Sequence, residues 1–206
     1  MRAAVIGAGL VAEMAGWWLV ATGRRDVWRL MPLILGPMGI AALLVAPATA
    51  PQVGRPVAFG VGLAAGLTLF LGTRVFVWVA SAWEPFRRDT LAKYREAAGV
   101  PLRTSLVLSL LVMVPAEELF WRGLAQQTMA AEVGAAGGAA AAWVLYVVAN
   151  LPSRSLPIVA GAVVGGAAWA GLGWWSGGVL APLASHILWT GLMLALPPGA
   201  GRKERA

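Results

Sequence analysis

Residues 112–123 read VMVPAEELFWRG, which places two adjacent glutamates and an arginine inside an otherwise apolar stretch. These three ionisable residues are Glu117, Glu118 and Arg122. Ionisable side chains are costly within a lipid bilayer, where they are found mainly facing a protein interior or a wet cavity with a function to perform. The charged cluster is therefore the first place to look for chemistry.

The composition of the whole chain is typical of a membrane protein. Of its 206 residues, 59% are hydrophobic and only 12% are charged, whereas soluble domains carry roughly 25% charged residues. The mean hydropathy is +0.75. Because membrane spans take up almost the whole length, we predict a single integral membrane domain, residues 1–206. The first apolar segment lacks a convincing signal-peptide cleavage site and is expected to remain as a helix.

Seven apolar segments are drawn as membrane spans, since a span needs about 20 residues. They are Ala3–Thr22, Met31–Ala50, Val57–Ala82, Leu106–Met129, Ala135–Leu151, Leu156–Leu172 and Trp174–Leu196. The predicted fold class is thus an all-α polytopic bundle of about seven transmembrane helices. Between the third and fourth spans, residues 83–103 alternate charged and apolar side chains, which predicts an amphipathic helix on the inner membrane face.

The basic residues predict the orientation of these spans. With the N-terminus outside, only Arg2 and Arg55 fall on the outer side. The inner side receives Arg24, Arg25, Arg29, Arg87, Arg88, Lys93, Arg95, Arg103, Arg154, Arg202, Lys203 and Arg205. Cytoplasmic loops carry an excess of Lys and Arg, so the C-terminus is predicted to lie in the cytoplasm.

The composition and the net charge predict the source of the chain and its partners. The abundance of Ala, Gly and Arg suggests a prokaryotic chain, which would place it in the inner (cytoplasmic) membrane. A net charge of +7 and a pI of about 11.3 are explained by basic loops beside a lipid bilayer. No nucleic-acid partner is expected.

Helical spacing divides the roles of the two glutamates. Glu118 and Arg122 are four residues apart, with the acid before the base, which favours an ion pair on one helix face. Glu117 is rotated by about 100° from Glu118 and has Trp121 four residues on. The sequence therefore predicts a structural ion pair between Glu118 and Arg122, with Glu117 left free as a general base.

Polar residues in later spans are candidates to meet Glu117. His186, the only histidine, lies in the last span with Thr190 on the same face, and Asn150 ends the fifth span. Such residues are expected to point toward the bundle interior. Glu13 and Arg74, in the first and third spans, are expected to pair with each other or to face water, and no catalytic role is assigned to them.

Together these residues resemble the CPBP family of intramembrane proteases, also called the CAAX protease and bacteriocin-processing or Abi family. Its first motif, EExxxR, is matched by Glu117, Glu118 and Arg122. Its second, FxxxH, corresponds to Tyr146 through Asn150, and its third, HxxxN or HxxxD, to His186 through Thr190. The three motifs stand in order on predicted spans, and the resemblance covers a catalytic core at about residues 106–196.

The resemblance implies catalytic roles. In the family the first glutamate is thought to activate a water molecule with help from the second-motif histidine, and the third motif stabilises an oxyanion. By resemblance, Glu117 is the base, His186 an oxyanion donor, and Asn150 and Thr190 fill the two remaining positions. Asn150 cannot transfer a proton as histidine does, so Asn150→His is expected to raise activity.

The leading prediction is a glutamate-dependent intramembrane endopeptidase that acts on a membrane-associated peptide or protein. A catalytic zinc site usually needs three protein ligands. Because the chain has one histidine and no cysteine, we expect no metal at this site and no other cofactor. The alternative is a non-catalytic membrane scaffold or bacteriocin-immunity-type protein that keeps the family fold. A small-solute transporter is a third reading, although the sequence shows no inverted repeat.

Overall fold

The structure, a computed structural model, describes residues 1–46 and 50–197, apart from the side chains of residues 93–98. Within these ranges the regular structure is entirely helical. Six helices are long and apolar enough to cross a membrane, and one shorter helix is also apolar. The predicted all-α polytopic bundle of about seven helices is therefore confirmed. Three basic residues used for the orientation, Arg202, Lys203 and Arg205, lie outside the described residues.

Eight helices make up the described fold. They are α1 (Arg2–Ala21), α2 (Val27–Val45), α3 (Arg55–Ala80), α4 (Glu84–Ala98), α5 (Leu102–Val133), α6 (Ala135–Asn150), α7 (Leu156–Ser176) and α8 (Leu180–Ala195). A short 3₁₀ turn, Leu151–Ser153, follows α6.

Local chemistry sets several of these boundaries. The Asp26 side chain accepts a hydrogen bond from the Arg29 backbone N–H at 3.1 Å, which satisfies an otherwise free donor at the start of α2. Gly134 has φ +80° and separates α5 from α6. Because side chains disfavour positive φ, glycine allows the chain to reverse there within one residue. The two helices consequently form a tight hairpin.

The central helix is α5, which contacts α1, α2, α6, α7 and α8. It contains two π-helical turns, Ser109–Met113 and Leu119–Ala125. Pro115 follows the first turn; proline lacks a backbone N–H and its ring crowds the carbonyl four residues earlier. A wider turn accommodates this, and such turns are frequent at functional sites. The second turn begins directly after Glu118.

The connections identify the two ends of the bundle. The Gln52 N–H donates to the Ser176 carbonyl at 2.7 Å, so the segment before α3 lies beside the end of α7. At the opposite end, the Leu156 N–H at the start of α7 donates to Asp89 of α4 at 2.6 Å. Arg74 also donates to the Leu196 carbonyl after α8, at 3.0 Å. Helices α3 and α8 therefore run in one direction, and α7 runs in the other.

Helix α4, Glu84–Ala98, lies within the segment 83–103, whose place on the inner membrane face stays a prediction. Phe86 and Thr90 are buried, whereas Arg87 and Arg88 are exposed. Phe86 packs edge-on against Phe76 of α3, with ring centroids 5.5 Å apart. Together with the Asp89 contact, this fixes α4 against α3 and α7 at one end of the bundle.

Several predicted span ends differ from the helix ends by a few residues, and the predicted boundary between the sixth and seventh spans is wrong. Residues 174–176 were assigned to the seventh span, but they complete α7, and α8 begins only at Leu180. Gly177, with φ +68°, ends α7 there. Hydropathy continues almost unbroken through this turn, so only the backbone conformation separates the two helices.

Candidate active site

Glu118 is at the centre of a buried network. Its Oε1 accepts hydrogen bonds from Arg122 Nη1 at 3.1 Å and from His186 Nδ1 at 2.8 Å. A carboxylate can only accept, so His186 carries a proton on Nδ1. Glu118 is 0% exposed, Arg122 2% and His186 4%. The sequence-based ion pair is present, and Glu118 additionally orients the histidine, which the sequence analysis did not anticipate.

Aromatic rings and a backbone carbonyl enclose this network. The imidazole of His186 stacks on Trp169 with ring centroids 3.5 Å apart. Arg122 lies over Tyr146 at 4.7 Å and donates to the Gly166 carbonyl at 3.2 Å. Because these partners come from α5, α6, α7 and α8, the network holds four helices in one arrangement.

Glu117 has a different environment from its neighbour. Its carboxylate makes no hydrogen bond to any residue that the structure describes, and its Oε2 lies 3.9 Å from His186 Nε2. That distance exceeds a direct hydrogen bond but allows both atoms to contact one water molecule. Glu117 is 9% exposed. The role of Glu117 as a general base stays a prediction.

The Glu117 side chain faces a cavity of about 540 Å³. Asn150, Tyr146 and Thr190 also line this cavity. Most of its wall is apolar and includes Leu69 and Phe76 of α3, Ile158 and Val164 of α7, and Met193 and Leu194 of α8. Phe86 and Thr90 of α4 form its end near the start of α7. A space of this kind suits an apolar chain placed beside a few polar groups.

Asn150 is held by Glu13, a residue to which no catalytic role was assigned. Its Nδ2 donates to Glu13 Oε1 at 3.3 Å and to the Tyr146 carbonyl at 2.9 Å. Glu13 is 0% exposed, and its Oε2 accepts from Trp121 Nε1 at 3.1 Å. The expectation that Glu13 pairs with Arg74 or faces water was therefore wrong. An acidic residue in an apolar span was the signal that could have identified it.

Arg74 instead lies at the end of the bundle that holds α4. It is exposed, donates to the Leu196 carbonyl and contacts the Phe70 ring at 5.6 Å. Its long side chain extends toward the helix ends, where a charge is less costly than at the centre of a bilayer. Arg74 and Glu13 therefore have separate structural roles.

Thr190 follows His186 by one helical turn and lines the same cavity. The hydroxyls of Thr68 and Thr73 donate to carbonyls four residues earlier, at 2.9 and 2.7 Å. The Thr190 hydroxyl makes no such bond within the described chain. It is consequently available to a molecule in the cavity, and the structure brings all four sequence-based candidates, Glu117, Asn150, His186 and Thr190, to one region.

No group of three His, Asp or Glu side chains in the described ranges is placed to hold one metal ion. The buried acids instead have specific protein partners or face the cavity. Independence from a metal or other cofactor stays a prediction.

Comparison with known proteins adds a family to this geometry. Residues 100–192 match the sequence model of a family described as Rce1-like, Type II CAAX prenyl endopeptidase Rce1-like. No curated protein and no solved structure matches the chain. The matched segment runs from the start of α5 into α8, and it includes Glu117, Asn150, His186 and Thr190.

The helices define an integral membrane protein, and the family that residues 100–192 resemble is a protease family. Residues 100–192 are similar to the CPBP family of intramembrane proteases, to which the matched model belongs. The resemblance seen in the sequence motifs is thereby confirmed. The α1 helix, which supplies Glu13, lies outside the matched segment.

Proposed function

We propose that this protein is a glutamate-dependent intramembrane endopeptidase that cleaves a membrane-associated peptide or protein, as CAAX-type proteases do. The observation that carries the proposal is the contrast between two adjacent carboxylates. Glu118 is fully enclosed and bonded to Arg122 and His186, whereas Glu117 is unbonded and faces an apolar cavity. A buried carboxylate without a hydrogen bond from the described residues is costly, so a reacting molecule is its natural hydrogen-bond partner.

The reaction is hydrolysis of a peptide bond. Glu117 accepts a proton from a water molecule while the water oxygen bonds to the substrate carbonyl carbon, and the carbonyl π electrons move to its oxygen. When the oxyanion collapses, the C–N bond breaks, and the proton held by Glu117 passes to the leaving nitrogen. One carboxylate thus acts first as base and then as acid. The products are a carboxylic acid and an amine, and transfer of the acid's proton to the amine gives a carboxylate and an ammonium ion.

His186 and Thr190 are the groups proposed to stabilise the oxyanion. The Thr190 hydroxyl is unbonded and faces the cavity, so it can donate to an oxygen there. His186 Nδ1 donates to Glu118, so Nε2 can donate to an oxyanion only when the ring is protonated on both nitrogens. The stacked Trp169 and the Glu118 contact restrict this ring to one orientation.

The proposed location follows from the helices and the basic residues. The protein resides in a prokaryotic cytoplasmic membrane, with its N-terminus outside and its C-terminus inside. Helix α4 and the start of α7 then lie at the cytoplasmic face, where the cavity ends at Phe86 and Thr90. A substrate would enter the cavity from the lipid or from that face.

The test is terminal-peptide mass spectrometry on membranes from cells that express the wild-type protein or Glu117→Gln at matched levels. Glu132→Gln is the control, because Glu132 is an exposed glutamate at the end of α5. Termini that disappear only in Glu117→Gln would identify both the substrate and the cleaved bond. If the set of termini is the same in all three, the proposal fails and a non-catalytic scaffold or immunity-type protein becomes the better description.

A further inference from the structure

Glu13 is a buried carboxylate that the proposed reaction does not use. It lies on α1, outside the segment that matches the protease family, and it is 0% exposed. Its two oxygens accept bonds from two different residues: Oε1 from Asn150 and Oε2 from Trp121. A charge that is enclosed so completely in a membrane helix is expected to have a function.

The contacts of Asn150 determine which end of its amide faces the cavity. Its Nδ2 is directed at two acceptors, Glu13 Oε1 and the Tyr146 carbonyl, at 3.3 and 2.9 Å. The reversed amide would place Oδ1 against both acceptors, which is repulsive. Since Asn150 lines the cavity, Oδ1 is the atom that remains to contact a molecule there. Asn150 thus offers an acceptor rather than a donor.

We infer that Glu13 is a positioning residue that fixes the Asn150 amide so that its Oδ1 accepts one hydrogen of the water activated by Glu117. This inference rests on the proposed endopeptidase function. A water molecule that donates one hydrogen to Glu117 and the other to Oδ1 has its lone pairs directed away from both groups, toward a substrate carbonyl. The resemblance implies that a histidine in the second motif assists the attacking water. Here Glu13 and Asn150 together would orient that water.

A carboxylate is required at position 13 because both of its oxygens accept. Glutamine has nearly the same shape, but it offers one acceptor and one donor group. In Glu13→Gln, the new amide N–H₂ would face a donor on either Trp121 or Asn150. That donor–donor contact is buried away from water and is unfavourable. The Asn150 amide is then expected to rotate and lose its fixed orientation.

The inference is tested with Glu13→Gln, Asn150→Asp and the double variant in the full-length protein. The readout is the rate at which Glu117-dependent termini appear after induction, divided by the amount of folded protein in the membrane. Each single variant is expected to lower this normalised rate about 10- to 100-fold, as small misplacements near a reacting centre do. Asn150→Asp does so because it sets two acidic side chains against each other.

The double variant is expected to recover part of the rate that Asn150→Asp loses. The glutamine amide at position 13 then accepts from Trp121 and donates to the aspartate at position 150, whose other oxygen faces the cavity as an acceptor. The aspartate meets the Tyr146 carbonyl unfavourably in both Asn150→Asp and the double variant, so the difference between these two variants reports the contact with position 13. A merely structural role for Glu13 would change the amount of folded protein but leave the normalised rate unaltered. Glu132→Gln again serves as the matched control and is expected to behave like wild type.

The outcomes separate this inference from the proposed function. If Glu117→Gln abolishes the termini but Glu13→Gln keeps the wild-type normalised rate, the positioning role is wrong and the protease stands. A double variant no faster than Asn150→Asp also overturns the inference. If Glu13→Gln fails to accumulate, the decision comes from comparing Asn150→Asp with the double variant. Termini that persist in Glu117→Gln overturn the proposed function, and the inference with it.

Discussion

Glu117 and Glu118 are neighbours in the chain, yet the structure gives them opposite surroundings. Glu118 is enclosed between α5 and α8 and accepts bonds from Arg122 and His186. Glu117 is unbonded within the described chain and faces the cavity. One residue step rotates a side chain by about 100° around a helix. That rotation separates a side chain that holds helices together from one that is proposed to react.

The largest expected effect comes from making the same isosteric change at both positions. Glu117→Gln should lower cleavage by about 10²- to 10⁴-fold, the usual contribution of a general base, without changing thermal stability. Glu118→Gln should instead destabilise the protein by about 3–5 kcal/mol, because it leaves Arg122 without its anionic partner in a buried site. Thermal unfolding in detergent and the abundance of cleaved termini measure the two effects. Equal loss of stability in both variants would show that Glu117 and Glu118 do not differ in their contribution to stability.

A second test concerns the hydroxyl groups around the cavity. Thr190→Val removes an unbonded hydroxyl and keeps the side-chain shape, so an oxyanion role predicts a loss of about 10²- to 10³-fold in kcat. Thr68→Val is the matched control, since Thr68 also lines the cavity but its hydroxyl already donates to the Ala64 carbonyl. A Thr190→Val enzyme with wild-type kcat would restrict Thr190 to packing.

A third test asks whether a histidine at position 150 raises the rate of cleavage. Asn150→His places an imidazole between Glu13 and the cavity, where one ring nitrogen can donate to Glu13 and the other can accept from water. We expect cleavage to rise by up to about 10²-fold, the lower end of an acid–base contribution. The rate of terminus formation measures it. A fall in that rate would mean that Asn150 is required for a property that histidine lacks.

The smallest expected effect concerns the packing that brings His186 into place. A methyl group added at Gly66 of α3 would lie 2.6 Å from the Ser185 carbonyl oxygen, next to His186. Gly66→Ala should therefore destabilise the protein by about 1–3 kcal/mol through overpacking and lower cleavage by shifting α8. Gly60→Ala on the same helix meets nothing within 4 Å and should be silent. Similar thermal unfolding temperatures for the two variants would contradict this account.

The wrong prediction for Glu13 shows which contacts cannot be predicted from residue spacing along the chain. Its position in an apolar span was evident, and the predicted surroundings were Arg74 or water. The structure satisfies Glu13 with two neutral donors, Trp121 and Asn150. Neutral donors are common in apolar sequences and carry no periodic signal, so hydropathy and charge patterns do not identify them.

The sequence by itself determined the features that depend on local helical geometry or on composition. The apolar segments predicted the membrane helices, and the four-residue spacing predicted the Glu118–Arg122 pair. The order of motifs predicted that Glu117, Asn150, His186 and Thr190 belong to one site. These follow because hydrophobic length and the rotation per residue are properties of a single helix.

Only the tertiary structure decided how the helices combine their side chains. The contact between Glu118 and His186 joins residues 68 positions apart, and that between Glu13 and Asn150 joins residues 137 apart. The side of the Asn150 amide that faces the cavity depends on the second contact. Such pairs depend on the rotation and depth of each helix in the bundle. Those are set by close packing among several helices rather than by any one segment.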